Sequence, residues 1–266
     1  MTKTPRLSVS GIEYLDYVWN FFSGCHNWQN GVCPVGKNCW AKKLTERFKS
    51  HYPNGFEPTF YPEAFLSPLY LKKPARIGVC FMGDLFGDWV DPWMEVVFRN
   101  EGGYIVYEGS LRDHVFMTIE SCPQHTFLFL TKCPQNLIKW SPFPKNCQVG
   151  VSACNQTQSD SALQYLLNVE AKVKFLSYEP LLEPISFYQG AFLNGKPYVN
   201  LVILGAQTNP YLPPRVEWVR EIVEAADKAG IPVFLKNNLY PLLGLGNGKS
   251  VCHNNENGTL RQELLR

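Results

Sequence analysis

The sequence predicts an α/β fold: a full or partial (β/α) barrel of the TIM type, with parallel strands and the cysteine loop after its first strand. Short apolar runs alternate with segments of helical periodicity, and the later runs recur roughly 20 to 30 residues apart. Most of these runs end in a polar residue, and parallel α/β folds build their sites at this edge. A doubly wound open sheet is the alternative, because a sequence does not show closure. We expect residues 1–266 to form one domain.

Seven apolar runs are predicted as strands and four segments as helices. The predicted strands are Tyr17–Phe22, Ile77–Met82, Thr126–Thr131, Gln148–Ser152, Lys174–Tyr178, Leu201–Gly205 and Pro232–Lys236. The predicted helices are Trp40–Lys49, Pro134–Trp140, Ser159–Val169 and Val216–Ala229. Prolines precede the last helix and Gly230 follows it, which is a normal pair of start and stop signals.

One stretch breaks this alternation. Arg99–Asp113 contains Gly102–Gly103 and a β-like run, and it is predicted as an inserted hairpin or lid. It would lie between two helical halves, Trp93–Phe98 and Val115–Ser121.

Composition and charge indicate an ordinary globular protein. Hydrophobic residues make up 45% of the chain, and the formal net charge of +2 gives no electrostatic case for a dedicated nucleic-acid-binding protein. Met1–Ser10 lacks the apolar core of a signal peptide, and the apolar runs are too short to span a bilayer. We therefore expect a cytoplasmic protein without membrane contact.

The nine cysteines fall into two groups. Cys25, Cys33 and Cys39 share one loop, whereas Cys80, Cys122, Cys133, Cys147, Cys154 and Cys252 are scattered and are predicted to behave as small buried hydrophobes. Three thiolates would leave one iron of a [4Fe–4S] cluster open. Zinc is an alternative, with a fourth ligand from His26 or a distant cysteine. The other alternative is that the three thiols bind no metal.

Several segments together resemble a known family over nearly the whole chain. They are IEYLDYVWNFFSGC (Ile12–Cys25), KNCWA (Lys37–Ala41), MGDLFG (Met82–Gly87), CPQHTFLFLTKCPQNL (Cys122–Leu137), GVSACNQ (Gly150–Gln156), SYEPLLEP (Ser177–Pro184) and VFLKNNL (Val233–Leu239). The sequence resembles the three-Cys-motif proteins associated with phages and prokaryotes, an uncharacterised family regarded as radical-SAM-like. Two features depart from that family: Cys33 lies further before Cys39 than the usual two residues, and Arg99–Asp113 is additional.

The resemblance implies a [4Fe–4S] cluster on Cys25, Cys33 and Cys39, and an enzyme that cleaves S-adenosylmethionine reductively. It needs an electron donor, and it modifies an unknown substrate for which a nucleic acid is one candidate. The residues expected to bind S-adenosylmethionine are Met82, Gly83, Asp84, Thr131, Ser152 and Asn155. Glu179, Lys132 and Lys236 are the expected catalytic residues.

Other interpretations stay open for the same residues. Asp84 suits a turn, and Glu179 with the two lysines suits a structural salt bridge. A basic run around the cysteine loop, with Trp28 and Trp40, would attract a nucleic acid or form a solvated helix face; it comprises Lys37, Lys42, Lys43, Arg47 and Lys49. Two further hypotheses are a non-catalytic binding protein stabilised by zinc or a cluster, and a magnesium nuclease using Asp84, Asp88 and Glu179.

Overall fold

The computed structural model describes residues 7–99, 105–186, 191–193, 195–244, 251–254 and 258–265. It shows an α/β fold with a large, mostly parallel sheet of eight strands. In chain order these strands are β1 (Leu7–Val9), β2 (Tyr17–Trp19), β5 (Arg76–Val79), β8 (Thr126–Thr131), β9 (Cys147–Ser152), β10 (Val173–Tyr178), β13 (Leu201–Leu204) and β16 (Val233–Leu235), and their order in the sheet is the same. Only β1 pairs with its neighbour in antiparallel fashion among the described strand pairs of this sheet.

Short ribbons and helices complete the described part of the chain. Four two-stranded ribbons are β3 (Phe22–Ser23) with β4 (Thr59–Phe60), β6 (Glu95–Arg99) with β7 (Ile105–Ser110), β11 (Phe192–Leu193) with β12 (Lys196–Pro197), and β14 (Gln207–Thr208) with β15 (Tyr211–Leu212). The α-helices are α1 (Trp40–Arg47), α2 (Leu111–Glu120), α3 (Gln156–Asn168), α4 (Val216–Ala229) and α5 (Tyr240–Leu243).

The chain divides into two compact units. The first unit comprises Met1–Gln148 and Val169–Lys172, and the second comprises Val149–Asn168 and Val173–Arg266. The first therefore holds the strands through β8 with α1 and α2, and the second holds the strands from β10 onward with α3 to α5.

All seven predicted strands are confirmed, and β8 and α4 have the predicted bounds. The predicted first strand is divided, because β2 pairs with β5 whereas Phe22–Ser23 pairs with β4. Strand β1 was not predicted, since three residues carry too little periodicity to be recognised. The cysteine loop consequently follows β3 and not the first strand.

One helix prediction is wrong, and another is confirmed as a helix of the 3₁₀ type. The segment Trp93–Phe98 contributes to strand β6, which pairs with β7 as an antiparallel hairpin. The predicted helix Pro134–Trp140 is present as a 3₁₀ helix, Pro134–Lys139. The predicted hairpin around Gly102–Gly103 is confirmed at its two strands, while residues 100–104 lie outside the described residues. The helical half after the hairpin is also confirmed, as α2, which Ser110 caps by accepting a hydrogen bond from the Asp113 amide.

Each unit has its own aromatic or apolar core. In the first, the buried rings of Trp19, Phe21 and Phe65 follow one another with centroids 4.6 and 4.4 Å apart. In the second, Phe175 fills the space beside Gly150, where an added Cβ would lie 2.2 Å from its ring. In the described residues, no helix has both the length and the apolar character needed to cross a membrane.

Candidate functional site

The cysteine loop begins at a close contact between two glycines of the first unit. The Gly24 amide donates to the Met82 carbonyl, and the Asp84 amide donates to the Gly24 carbonyl. Gly24 has a φ of +92°, and an added Cβ would lie 2.4 Å from the Glu57 carbonyl. An added Cβ on Gly83 would lie 2.4 Å from the Gly24 oxygen. Both positions therefore need glycine, and together they fix the start of the loop against the segment after β5.

The three loop cysteines lie close enough to interact electrostatically. Burial raises the pKa of Cys25 far above its ordinary value, and the neighbouring charges of Asp84, Cys33 and Cys39 raise it further. Burial also raises the pKa of Cys39, which Cys33 raises further and the positive charge of Lys132 lowers. All three are half-buried free thiols. Burial therefore favours the neutral form of the Cys25 and Cys39 thiols.

Asp84 joins three chain segments of the first unit. Its carboxylate is buried and accepts hydrogen bonds from the Asn27 side chain at 2.7 Å and the Thr131 hydroxyl at 2.7 Å. It also accepts bonds from the Lys132 and Phe86 amides at 3.0 and 3.1 Å. Burial raises the pKa of Asp84, while these four donors lower it. Both of its oxygens are thus used within the protein, which makes Asp84 a positioning residue.

Asn27 connects the loop to the end of β8. Its backbone amide donates to the Cys25 sulfur at 3.4 Å, and its side-chain oxygen accepts a bond from the Cys133 thiol at 3.0 Å. Cys133 is only 2% exposed, and its amide donates to the Thr131 hydroxyl. The Thr131 hydroxyl therefore donates to one partner and accepts from another, both within the protein.

The His26 side chain contacts Glu57 and Trp89, which are not part of this network. Its Nε2 lies 2.8 Å from the Glu57 carboxylate, and its ring is 5.1 Å from the ring of Trp89. Because His26 directly follows Cys25 in the chain, the two side chains are poorly placed to bind the same tetrahedral ion.

The donor set fits a soft metal or an iron–sulfur cluster. Thiolates prefer zinc, copper or iron–sulfur, whereas Mg²⁺ and Ca²⁺ prefer oxygen ligands. Across the described residues, no three His, Cys, Asp or Glu side chains are arranged so that they could hold a metal ion. The three loop cysteines do not form such a group, and neither do the carboxylates proposed for magnesium, Asp84, Asp88 and Glu179. Binding by the cysteine loop would therefore require the thiols to turn and to lose their protons.

The second unit carries the other predicted site residues. The Lys236 ammonium lies 2.5 Å from the Glu179 carboxylate, and both side chains are largely buried. Gly205 leaves room for this pair, because an added Cβ would lie 3.1 Å from Glu179 and 3.2 Å from Lys236. Of the three expected catalytic residues, Glu179 and Lys236 therefore form a pair, and Lys132 lies in the first unit.

Ser152 and Asn155 make local contacts in the second unit. The Ser152 hydroxyl donates to the Glu179 carbonyl at 3.4 Å. The Asn155 side chain accepts a hydrogen bond from the Gln158 amide at 2.9 Å, and the Gln158 side chain accepts one from the Cys154 amide. Asn155 thus caps the start of α3.

Sequence reasoning missed Asn27 and Cys133. Cys133 was grouped with the scattered, buried cysteines, and burial was correctly predicted. Its position directly after Thr131 and Lys132, at the end of a predicted strand, was the available signal. Nothing in the sequence pairs it with Asn27, which is 106 residues away.

Helix α1 presents aromatic and basic side chains next to the cysteine loop. The Lys42 ammonium lies 3.9 Å from the centre of the Trp28 ring, and Trp40 is 45% exposed. Lys43 is half-buried, and Arg47 and Lys49 are exposed. The Lys37 side chain lies outside the described part of the structure.

The fold and the loop define an α/β protein with a mostly parallel sheet and a cysteine-rich loop tied to the ends of β5 and β8. The chain belongs to the family DUF5131, proteins of unknown function, which matches residues 9–101 and 105–240. No curated protein and no solved structure matches the chain significantly.

Proposed function

We propose that this protein is a radical-SAM-like iron–sulfur enzyme on a full or partial (β/α) barrel, related to the three-Cys-motif proteins of phages and prokaryotes. The observation that carries the proposal is the gathering of three mutually interacting thiols on one loop, Cys25, Cys33 and Cys39. Three cysteine ligands suit a [4Fe–4S] cluster with one open iron. When bound, such a cluster would supply the electron that cleaves the sulfonium of S-adenosylmethionine.

The chain's own residues would hold and orient the reactants. Asp84 fixes the loop against the ends of β5 and β8 through its hydrogen bonds to Asn27 and Thr131. Lys132 places a positive charge near Cys39, which favours the thiolate that binds metal. In the second unit, Glu179 and Lys236 form a largely buried pair that could hold or transfer a substrate proton.

The test is anaerobic reconstitution with iron and sulfide, followed by an assay for 5′-deoxyadenosine. We expect the wild-type protein to acquire a brown cluster and to cleave S-adenosylmethionine under reducing conditions. Cys39→Ala should lose both properties, and Cys122→Ala, which removes a buried thiol outside the loop, should keep both. A stable wild-type cluster that never cleaves S-adenosylmethionine would contradict the proposal.

A nucleic acid is the substrate class that the surface of α1 favours. Exposed Trp40 and the basic residues of this helix combine a stacking surface with positive charge. We expect Arg47→Glu to weaken binding of a labelled single-stranded oligonucleotide at low salt by about tenfold and to flatten its salt dependence. Lys196→Glu, an equal charge change at an exposed position of the second unit, is the matched control. Equal weakening by both variants would indicate non-specific attraction.

The position of Cys133 favours a second candidate function, a non-catalytic binding protein stabilised by zinc. Its thiol is close enough to Cys25 that a charge on Cys25 raises the pKa of Cys133, which burial raises most. A closed structural zinc site requires four ligands, and Cys133 with the three loop cysteines would supply four thiolates. A colourless protein that retains one zinc ion after isolation, and takes up no cluster, would support this candidate.

A further inference from the structure

We propose that Gln262 is a positioning residue for Lys236, the cation of the largely buried pair with Glu179. Gln262 belongs to an edge segment, residues 260–263, which pairs with β16 inside the second unit. This segment holds the end of β16 so that the Lys236 ammonium stays on the Glu179 carboxylate. The inference rests on the proposed role of that pair in handling a substrate proton.

The edge segment lies along the side of β16 that does not pair with β13. The Leu235 amide donates to the Arg261 carbonyl at 2.8 Å, and the Glu263 amide donates to the Val233 carbonyl at 3.0 Å. These backbone bonds cover a strand edge that would otherwise be open to pairing with another chain. Covering the edge is a sufficient reason for the backbone bonds, but it does not require any side chain of the segment.

The side chain of Gln262 adds two bonds, one on each side of Lys236 in the chain. Its Nε2 donates to the Leu235 carbonyl at 3.0 Å and to the Asn237 side-chain oxygen at 2.9 Å. A carbonyl oxygen only accepts, so the atom that faces Leu235 is the NH₂ group of the amide. The Lys236 amide meanwhile donates to the Leu204 carbonyl of β13. The backbone that carries the Lys236 side chain is therefore fixed from both edges of the strand.

Arg261 ties the edge segment to helix α4. Its guanidinium donates to the two carboxylate oxygens of Asp227 at 2.8 and 3.0 Å, and to the Glu263 carboxylate at 3.0 Å. The Glu263 carboxylate also accepts a bond from the Val233 amide at 2.9 Å. A bidentate pair of this kind fixes geometry as well as adding energy. Gln262 is consequently presented from a segment whose own position is set.

The pair of Lys236 and Glu179 has little room to adjust. The Lys236 side chain is 11% exposed and the Glu179 side chain 23% exposed. An added Cβ on Gly205 would already lie within 3.2 Å of both side chains. In so confined a space, a shift of the Lys236 backbone would move the ammonium away from the carboxylate and leave two partly buried charges without their partner.

The first experiment measures proton exchange at the Lys236 ammonium by NMR, using the metal-free full-length protein with nitrogen-labelled lysine. Lys236→Met identifies the signal, and Glu179→Gln should remove its protection from exchange. We expect Gln262→Met, which removes both donors without adding a charge, to speed this exchange about tenfold. Gln164→Met, the same substitution at an exposed position of α3 in the same unit, should leave it unchanged.

Two further measurements separate positioning from a general loss of stability. Backbone amide exchange in the middle of α4 should be the same in Gln262→Met as in the wild type, whereas a variant that was only less stable would show faster exchange there too. In the wild type, the side-chain amide protons of Gln262 should exchange more slowly than those of Gln164. This last result does not depend on how any variant folds.

Unchanged ammonium exchange in Gln262→Met, or an equal increase in Gln164→Met, would overturn the positioning role. Parallel acceleration of the α4 amides would overturn it too, as would equally fast exchange of the Gln262 and Gln164 side-chain amides. Failure of the proposed function is separate, since it would appear as a wild-type protein that cleaves no S-adenosylmethionine whatever the exchange rate at Lys236.

Discussion

At the scale of single residues, the buried carboxylate of Asp84 has the clearest consequence. All four of its partners are donors, so an amide at this position would turn an NH₂ group toward at least one of them. We expect Asp84→Asn to lower the free energy of unfolding by about 3 kcal/mol. Urea unfolding measures this change. Asp88→Asn, an exposed position bonded to Asn136, should lower it by less than about 1 kcal/mol.

The free energy of unfolding should depend on pH through His114. Burial lowers the pKa of His114 from 6.5 to about 4, and its ring packs edge-on against Phe65. The unfolded chain therefore takes up this proton more readily than the folded chain does, so stability is lost as the pH falls from 6.5 toward 4. The loss should be on the order of 3 kcal/mol.

Urea unfolding at pH 7 and pH 4.5 tests this contribution. His114→Phe keeps an aromatic ring beside Phe65 and removes the titration, so it should lose less stability over this interval than the wild type does. Parallel losses in the two proteins would assign the acid sensitivity to other groups.

Residue types at strand ends could be predicted, but most of the contacts between distant segments could not. The sequence indicated the three loop cysteines by their clustering and Asp84 by its position after a strand. It also indicated the pairing of Glu179 with a lysine, because a buried charge needs a partner. The link from Asn27 to Cys133 depends on two segments that meet only after β5 and β8 have paired. Spacing within a sequence carries no information about such a contact.

At the scale of elements, length decided which predictions were right. Strand β8 and helix α4 have long, unambiguous periodicity and were placed at their observed bounds. The run before Arg99 contains two adjacent valines and alternates too briefly to separate a strand from a helix. Its strand structure is stabilised by pairing with β7, which is a non-local interaction that local periodicity does not reveal.

The cysteine loop depends on its first glycine. Gly24 has positive φ and no room for a side chain, whereas Gly31 also has positive φ but open space around it. We expect Gly24→Ala to destabilise the protein by about 2 to 4 kcal/mol and to impair Co²⁺ binding. Gly31→Ala should cost about 1 kcal/mol, from backbone strain alone. Urea unfolding and Co²⁺ titration of both variants separate the two effects, and equal behaviour would show that the contact with Glu57 is unimportant.

At the scale of the whole molecule, metal binding should be coupled to stability. Burial favours the protonated thiols of Cys25 and Cys39, and no group of side chains among the described residues is arranged as a metal site, so the folded protein must reorganise to bind a metal. A metal bound only by the folded chain stabilises it by about 2.7 kcal/mol at a free concentration one hundred times its Kd. Removing the metal with a chelator should therefore lower the midpoint of thermal unfolding.

Cys39→Ala provides the reference for that experiment, because it removes one of the proposed ligands from the loop. Its unfolding midpoint should be the same with and without chelator, while Cys122→Ala should respond as the wild type does. Hydrogen exchange should localise the change: metal removal should speed exchange at residues 24–39 and at the Lys132 amide, which bonds to Asp84 in the first unit. If the wild-type midpoint does not move when metal is removed, the loop is not a folding-coupled metal site, and the proposed cluster fails.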